Sequence, residues 1–189
     1  MAGMDVDPEL VRAVQRGEPG AMEALIRATY AAVYALCRRL LGDPADAADA
    51  TQEVYLRVVR SVLGFRAEAA FGTWLHRITV NVCATTLRRR GDARARGQVA
   101  GATAFAAPGA PDVLASADDT EGRVADRDRA RRVAAAIAEL PEDARTVVIL
   151  RDIQGLSTKE AAAVLGISEA AVKVRLHRAH ARLRTSVDQ

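Results

Sequence analysis

Three tyrosines, three phenylalanines and one tryptophan are the only aromatic residues among 189, so ring packing cannot build most of the core. Half of the residues are nevertheless apolar. The core must therefore come from Ala, Leu and Val, which suit closely crossing helices, and an all-α protein is expected. At this length the chain can hold two small domains. Lysine is almost missing too, present only at Lys159 and Lys173, and arginine carries the rest of the basic charge. That bias fits a GC-rich genome, and it also suits forked contacts with phosphate and guanine. Cysteine occurs only as Cys37 and Cys83, with no CxxC or Cys/His ligand spacing, so both read as small, buried, reduced side chains and no metal site is expected. No uncharged stretch reaches the roughly 18 residues of a membrane span, and MAGMDVDPEL has neither a basic start nor an apolar run. A soluble, cytoplasmic protein without membrane insertion is expected.

Helix signals punctuate what is present. Asp7-Pro8 reads as a cap with proline at the first helical position, and Gly17 as a stop. From Pro19 to Leu41 apolar residues recur at steps of three and four, which predicts a first long helix. Gly42-Asp43-Pro44 breaks it. A second long helix follows to about Leu63, carrying Val54, Leu56, Val58, Val59 and Val62 as its apolar positions. After the connector FRAEAAF, a third long helix begins at Thr73 and ends in Arg88-Arg89-Arg90-Gly91. Residues 1–91 thus form an N-terminal helical bundle. Residues 92–122, rich in Gly, Ala, Pro, Ser and Asp and ending in Asp112, Asp118, Asp119 and Glu121, read as a flexible acidic linker. Residues 123–189 form a four-helix domain: a helix with Val133, Ile137 and Leu140, another over Glu142–Gln154, and two more.

Those last two carry the clearest motif. Ser157-Thr158-Lys159-Glu160 is a capping box, Gly166 a stop and Ser168 a fresh cap. Helix, glycine-containing turn, helix is the helix-turn-helix spacing. In the second of these helices Val172, Leu176, Ala179 and Leu183 step by four, three and four as the buried stripe. Lys173, Arg175, His177, Arg178, His180, Arg182 and Arg184 occupy the other faces, and no acid intervenes between Ala170 and Val187. A helix apolar on one side and basic on the rest fits a DNA major groove. The bland alternative is a solvated basic face; the capped preceding helix and glycine turn favour DNA.

Three segments, LLGDPADAADATQEVYLRVVR, FRAEAAFGTWLHRITVNVCATTLRRR and LPEDARTVVILRDIQGLSTKEAAAVLGISEAAVKVRLHRAHARLR, occur in that order. Through them the chain resembles the bacterial sigma factors of the extracytoplasmic-function group, from about Ala21 to Arg184. The resemblance implies a subunit that binds RNA polymerase core and directs promoter-specific initiation by reading the −35 and −10 elements and melting DNA. It implies that Asp49, Gln52 and Glu53 hold the polymerase clamp's coiled coil, with Asp43 and Asp46 explained by the N-terminal end of their helix. Phe65, Arg66, Ala67 and Glu68 would line a pocket for an extruded −10 base, with Asn81 reaching its edge and Trp74 supporting the connector. Core packing is the competing role for Phe65 and Trp74. Arg60 and Arg77 would neutralise phosphates there. Lys173, Val174, His177 and Arg178 match the base-facing −35 positions, and Arg175 and Arg182 suit phosphates. The polymerase flap and an anti-sigma factor are further implied partners, and the linker either threads the RNA exit path or is an ordinary tether.

No nucleophile beside a base, phosphate loop or metal cluster is visible, so no catalysis and no cofactor are expected. A recombinase would need a catalytic serine or acidic triad on an α/β domain, and no strand pattern offers one. A helix-turn-helix regulator acting without being a polymerase subunit is the remaining alternative.

Overall fold

The computed structural model describes residues 4–96 and 120–187, and every regular element among them is helical. Helix α1 (Pro8–Gln15) starts where Asp7 accepts from the Glu9 amide at 2.8 Å, with proline at the first position. Helix α2 (Ala21–Leu41) is bounded by Gly20 and Gly42, both at positive φ. Helix α3 (Pro44–Ser61) repeats the aspartate-proline start, Asp43 accepting from Ala45 and Asp46 at 2.8 and 3.0 Å. These two amides hold the Asp43 carboxyl below its usual range. A 3₁₀ turn, Val62–Gly64, and an exposed loop lead to α4 (Phe71–Ala95). Helix α4 starts two residues before, and ends four residues after, the bounds expected from sequence, so residues 92–95 are helical rather than linker.

In the second half, α5 (Thr120–Glu139) runs to Leu140-Pro141, and α6 (Glu142–Val148) continues into a π-helical turn, Ile149–Ile153. The single helix expected over Glu142–Gln154 is thus loosened midway. Of the linker expected over 92–122, residues 97–119, including Asp112, Asp118 and Asp119, lie outside the described residues, whereas residues 120–122, with Glu121, belong to α5.

Helix α7 (Thr158–Leu165) carries the full capping box: the Glu160 amide donates to Ser157 Oγ at 3.2 Å, and the Ser157 amide to Glu160 Oε2 at 2.7 Å. Gly166 at φ 65° ends it in the left-handed conformation that glycine adopts without strain. Ser168 then accepts from the Ala171 amide at 3.1 Å, and α8 (Glu169–Val187) begins. Ser157→Ala should cost about 1 kcal/mol in urea unfolding. The Ser157 hydroxyl and amide hold the Glu160 carboxyl below its ordinary value. A depressed acid stabilises above its unfolded pKa and loses that contribution as pH falls through the folded one. The gap between variant and wild type should therefore narrow in acid below pH 4.5.

The core is aliphatic, as the composition requires: Leu25, Val33, Leu36, Val54, Val58 and Leu75 close the first half. Cys37 and Cys83 are free and buried within it, and the hydrogen bond to Cys37, together with burial, keeps the Cys83 thiol protonated. One apolar cluster continues from here into Val147, Ile149, Leu150, Ala161, Val164 and Val172 of the second half. The halves meet chiefly where α7 lies against α4, small alanines allowing close approach. Beside that seam His76, buried, donates from Nδ1 to Gly72 O at 2.7 Å and sets Nε2 3.5 Å from the Gln154 carboxamide. Not all of the expected apolar face of α5 is covered: Ile137 and Leu140 pack, whereas Val133 is exposed.

Candidate nucleic-acid interface

Helix α8 is held by the stripe read from sequence. Val172 and Ala179 are fully buried, and Leu176 and Leu183 pack against Leu140, Ala144 and Val148. Fixing that side leaves Lys173, Val174, His177 and Arg178 exposed together, one turn apart in pairs. Val174, at 48% exposure, is an apolar group displayed to solvent among cations. The flanking residues are engaged by the protein itself. Arg175 Nε lies 3.6 Å from Asp143 Oδ2, and His180 Nε2 2.7 Å from Asp152 Oδ2. Arg182 stands exposed one turn beyond Arg178.

A second feature surrounds the loop before α4. Phe65, Phe71 and Trp74 pack edge-on or tilted against one another with ring centroids 5.3–5.6 Å apart. Phe65 and Trp74 thus pack within this cluster, and both also line a cavity. That cavity, of about 350 Å³, brings together Phe65, Arg66, Glu68, Trp74 and Arg77, all named from sequence. Four further residues line it, Gly64 and Ala69 beside the named loop residues and two from other elements. Thr73 contributes from the first turn of α4, and Ala163 from α7, nearly ninety positions away in sequence. Ala67 departs from expectation, because at φ 55° it lines a different cavity, of about 400 Å³, on the α1 side of the loop. Asn81 and Arg60 are exposed on α4 and α3 but do not line the cavity.

A third surface runs along α3. Of its acids, Asp43 caps the helix and Asp46 pairs with Arg90 of α4 at 2.7 Å, so both are committed internally. Asp49 and Gln52 are exposed, and Glu53 is half-buried with its carboxylate on Arg57 at 2.8 Å. Of the apolar positions that the sequence shows along this helix, Leu56 and Val59 are 51% and 48% exposed, and Leu63 in the following turn is 68% exposed. Asp49, Gln52, Leu56, Val59 and Leu63 step by three, four, three and four, the seam one helix offers another. Their spacing was the available signal.

Residues 25–93 match Sigma-70 region 2, and residues 130–183 match Sigma-70 region 4. Over 179 residues the chain is 37% identical to the ECF RNA polymerase sigma factor SigM of Mycobacterium tuberculosis, covering 94% of this chain and 82% of that protein. The chain belongs to the extracytoplasmic-function group of the sigma-70 family. Another such sigma factor, the sigma-E factor of Escherichia coli K12, is 31% identical over 92% of this chain and 90% of its own. The fold agrees with solved sigma factors. RpoE from Bartonella quintana, in complex with the anti-sigma factor NepR, superposes with a TM-score of 0.70 at 21% identity, covering 89% of this chain and 98% of that one. CnrH, in complex with the cytosolic domain of CnrY, does so at 0.66 and 24%, covering 100% and 98%. The chain is thus a transcription initiation factor working with RNA polymerase, not a member of a known enzyme family. No helix among the described residues is long and apolar enough to cross a membrane, and among those residues no group of three or more His, Cys, Asp or Glu is placed to hold a metal.

Proposed function

We propose that this sigma factor divides promoter reading between its two halves, α8 taking the −35 element and the loop before α4 the −10 element. The observation that carries the reading is the exposed quartet Lys173, Val174, His177 and Arg178 on a helix whose opposite side is locked into the core. Lys173 and Arg178 donate to base edges, Val174 packs on a methyl, and His177 extends the same face into the groove. Arg182 meets a phosphate, and Arg175 does so in exchange for Asp143.

At the −10 element, strand separation costs stacking energy that an extruded base regains in a pocket. The aromatic-floored cavity at the loop suits that role, with Arg66 and Glu68 at its mouth and Arg77, Arg60 and Asn81 along the strand's path. Ala67 acts through the loop's backbone shape.

The α3 seam receives the clamp's coiled coil of the polymerase: Asp49, Gln52 and Glu53 orient it, and the apolar residues beyond add buried area. The second half also meets the polymerase flap, and an anti-sigma factor competes for these faces. The factor acts in the cytoplasm, with no chemistry or cofactor of its own.

In-vitro transcription with core polymerase, with and without this chain, tests the reading: promoter-specific initiation appears only with it. Operator binding by the free chain as tight as by the holoenzyme would instead indicate an independent regulator. With about five phosphates neutralised by the second half, log affinity should fall with log salt at a slope of about −4.5. A slope near zero removes the electrostatic role of α8.

A further inference from the structure

The loop from Phe65 to Ala70 is exposed beyond its first residue, yet a base pocket works only if its walls stand in place before the base arrives. What fixes this loop comes from outside it. Gln15, the last residue of α1, donates both protons of its carboxamide nitrogen across the molecule, to Val62 O at 3.0 Å and Phe65 O at 2.8 Å. Val62 O also accepts from the Phe65 amide at 3.1 Å, so the 3₁₀ turn and the root of the loop are tied at one point.

The far end of the loop is held from the same direction. A Cβ on Gly72 would lie 2.6 Å from Asp5 Oδ1 and 3.3 Å from the Met4 backbone, so the N-terminal segment lies close against the start of α4 and any side chain there would displace the Asp5 carboxylate. Met4 itself is fully buried. Between the two ties, Ala67 stands at φ 55°, a conformation an alanine keeps only when its surroundings impose it.

We infer that Gln15 is a positioning residue for −10 recognition: α1, without touching DNA, holds the loop in the shape that accepts an extruded base. This rests on reading the loop as the −10 element. The chemistry is specific. Both amide protons are spent on carbonyls, so a glutamate offers no donor, an asparagine stops one methylene short, and a methionine fills the space without bonding. A lysine keeps donors of sufficient reach.

The test uses holoenzyme formed with the full chain. Open-complex formation is followed by permanganate reactivity on promoters differing at single −10 bases, alongside core-polymerase affinity and the melting temperature of the free chain. Gln15→Met should flatten discrimination among −10 bases about tenfold, the scale of two lost hydrogen bonds, while core affinity stays unchanged. Gln15→Lys should restore most of the discrimination. A residue serving stability alone would lower all promoters together, in step with the melting temperature, and that result overturns the inference. Should Gln15→Met fold poorly, Gln15→Asn carries the same comparison. Arg66→Ala and Glu68→Ala separate the two levels of the argument. If they alter −10 preference and the Gln15 variants do not, the inference alone is wrong; if neither set alters it, the loop reading fails as well.

Discussion

With Lys173 and Arg178 both replaced by alanine, initiation from a −35-dependent promoter falls at least about 30-fold, because each base contact contributes about 1–3 kcal/mol of discrimination. The folded chain should tolerate the change. Both side chains project from the exposed side of α8, whereas the residues that hold the helix, Val172 and Ala179, stay fully buried and untouched. Core-polymerase affinity should likewise stay level, since neither side chain lies on α3. The measurement is run-off transcription from promoters with intact and scrambled −35 elements. Equal loss on both, which leaves the ratio between promoters unchanged, would mean that the pair contributes only charge and would remove it as a reader of −35 bases.

The second large effect concerns the α3 seam. Glu53→Lys combined with Leu56→Asp should raise the dissociation constant for core polymerase at least about 30-fold, the loss expected when a central interface residue worth about 2 kcal/mol is removed. Leu56 is half-exposed, so burying it against a partner is a gain that the free chain does not already hold. Glu53 contacts Arg57 within the same exposed helix face, and such pairs contribute little to folding. Thermal melting of the free variant should therefore stay near wild type, while titration of labelled core polymerase shows the loss. Wild-type affinity in the double variant would move the clamp contact away from this face.

Much of this was legible because short-range rules wrote it. Asp7-Pro8, Asp43-Pro44 and the Ser157–Glu160 box place helix starts within a residue or two, since a cap acts over a single turn. The stripe from Val172 to Leu183 told which side of α8 is buried, and so which side is free. Helix α3 was harder. Its apolar residues form two interleaved stripes, Val54, Val58 and Val62 against Leu56, Val59 and Leu63, each at helical spacing, and only tertiary packing selects the first for the core. Gln15 and Ala163 were invisible for a related reason. Each reaches the loop across tens of residues through the fold, and neither stands in a local pattern that marks it.

The scarcity of rings has a practical sequel. Trp74 is the chain's one tryptophan, and it lies in the cavity wall beside Phe65 and Phe71, in a ring cluster separate from the tyrosine stack of α2 and α3. Excitation at the red edge of indole absorption therefore addresses that wall alone. A nucleobase settling against it would quench the emission, so the unlabelled protein carries its own optical gauge of strand capture.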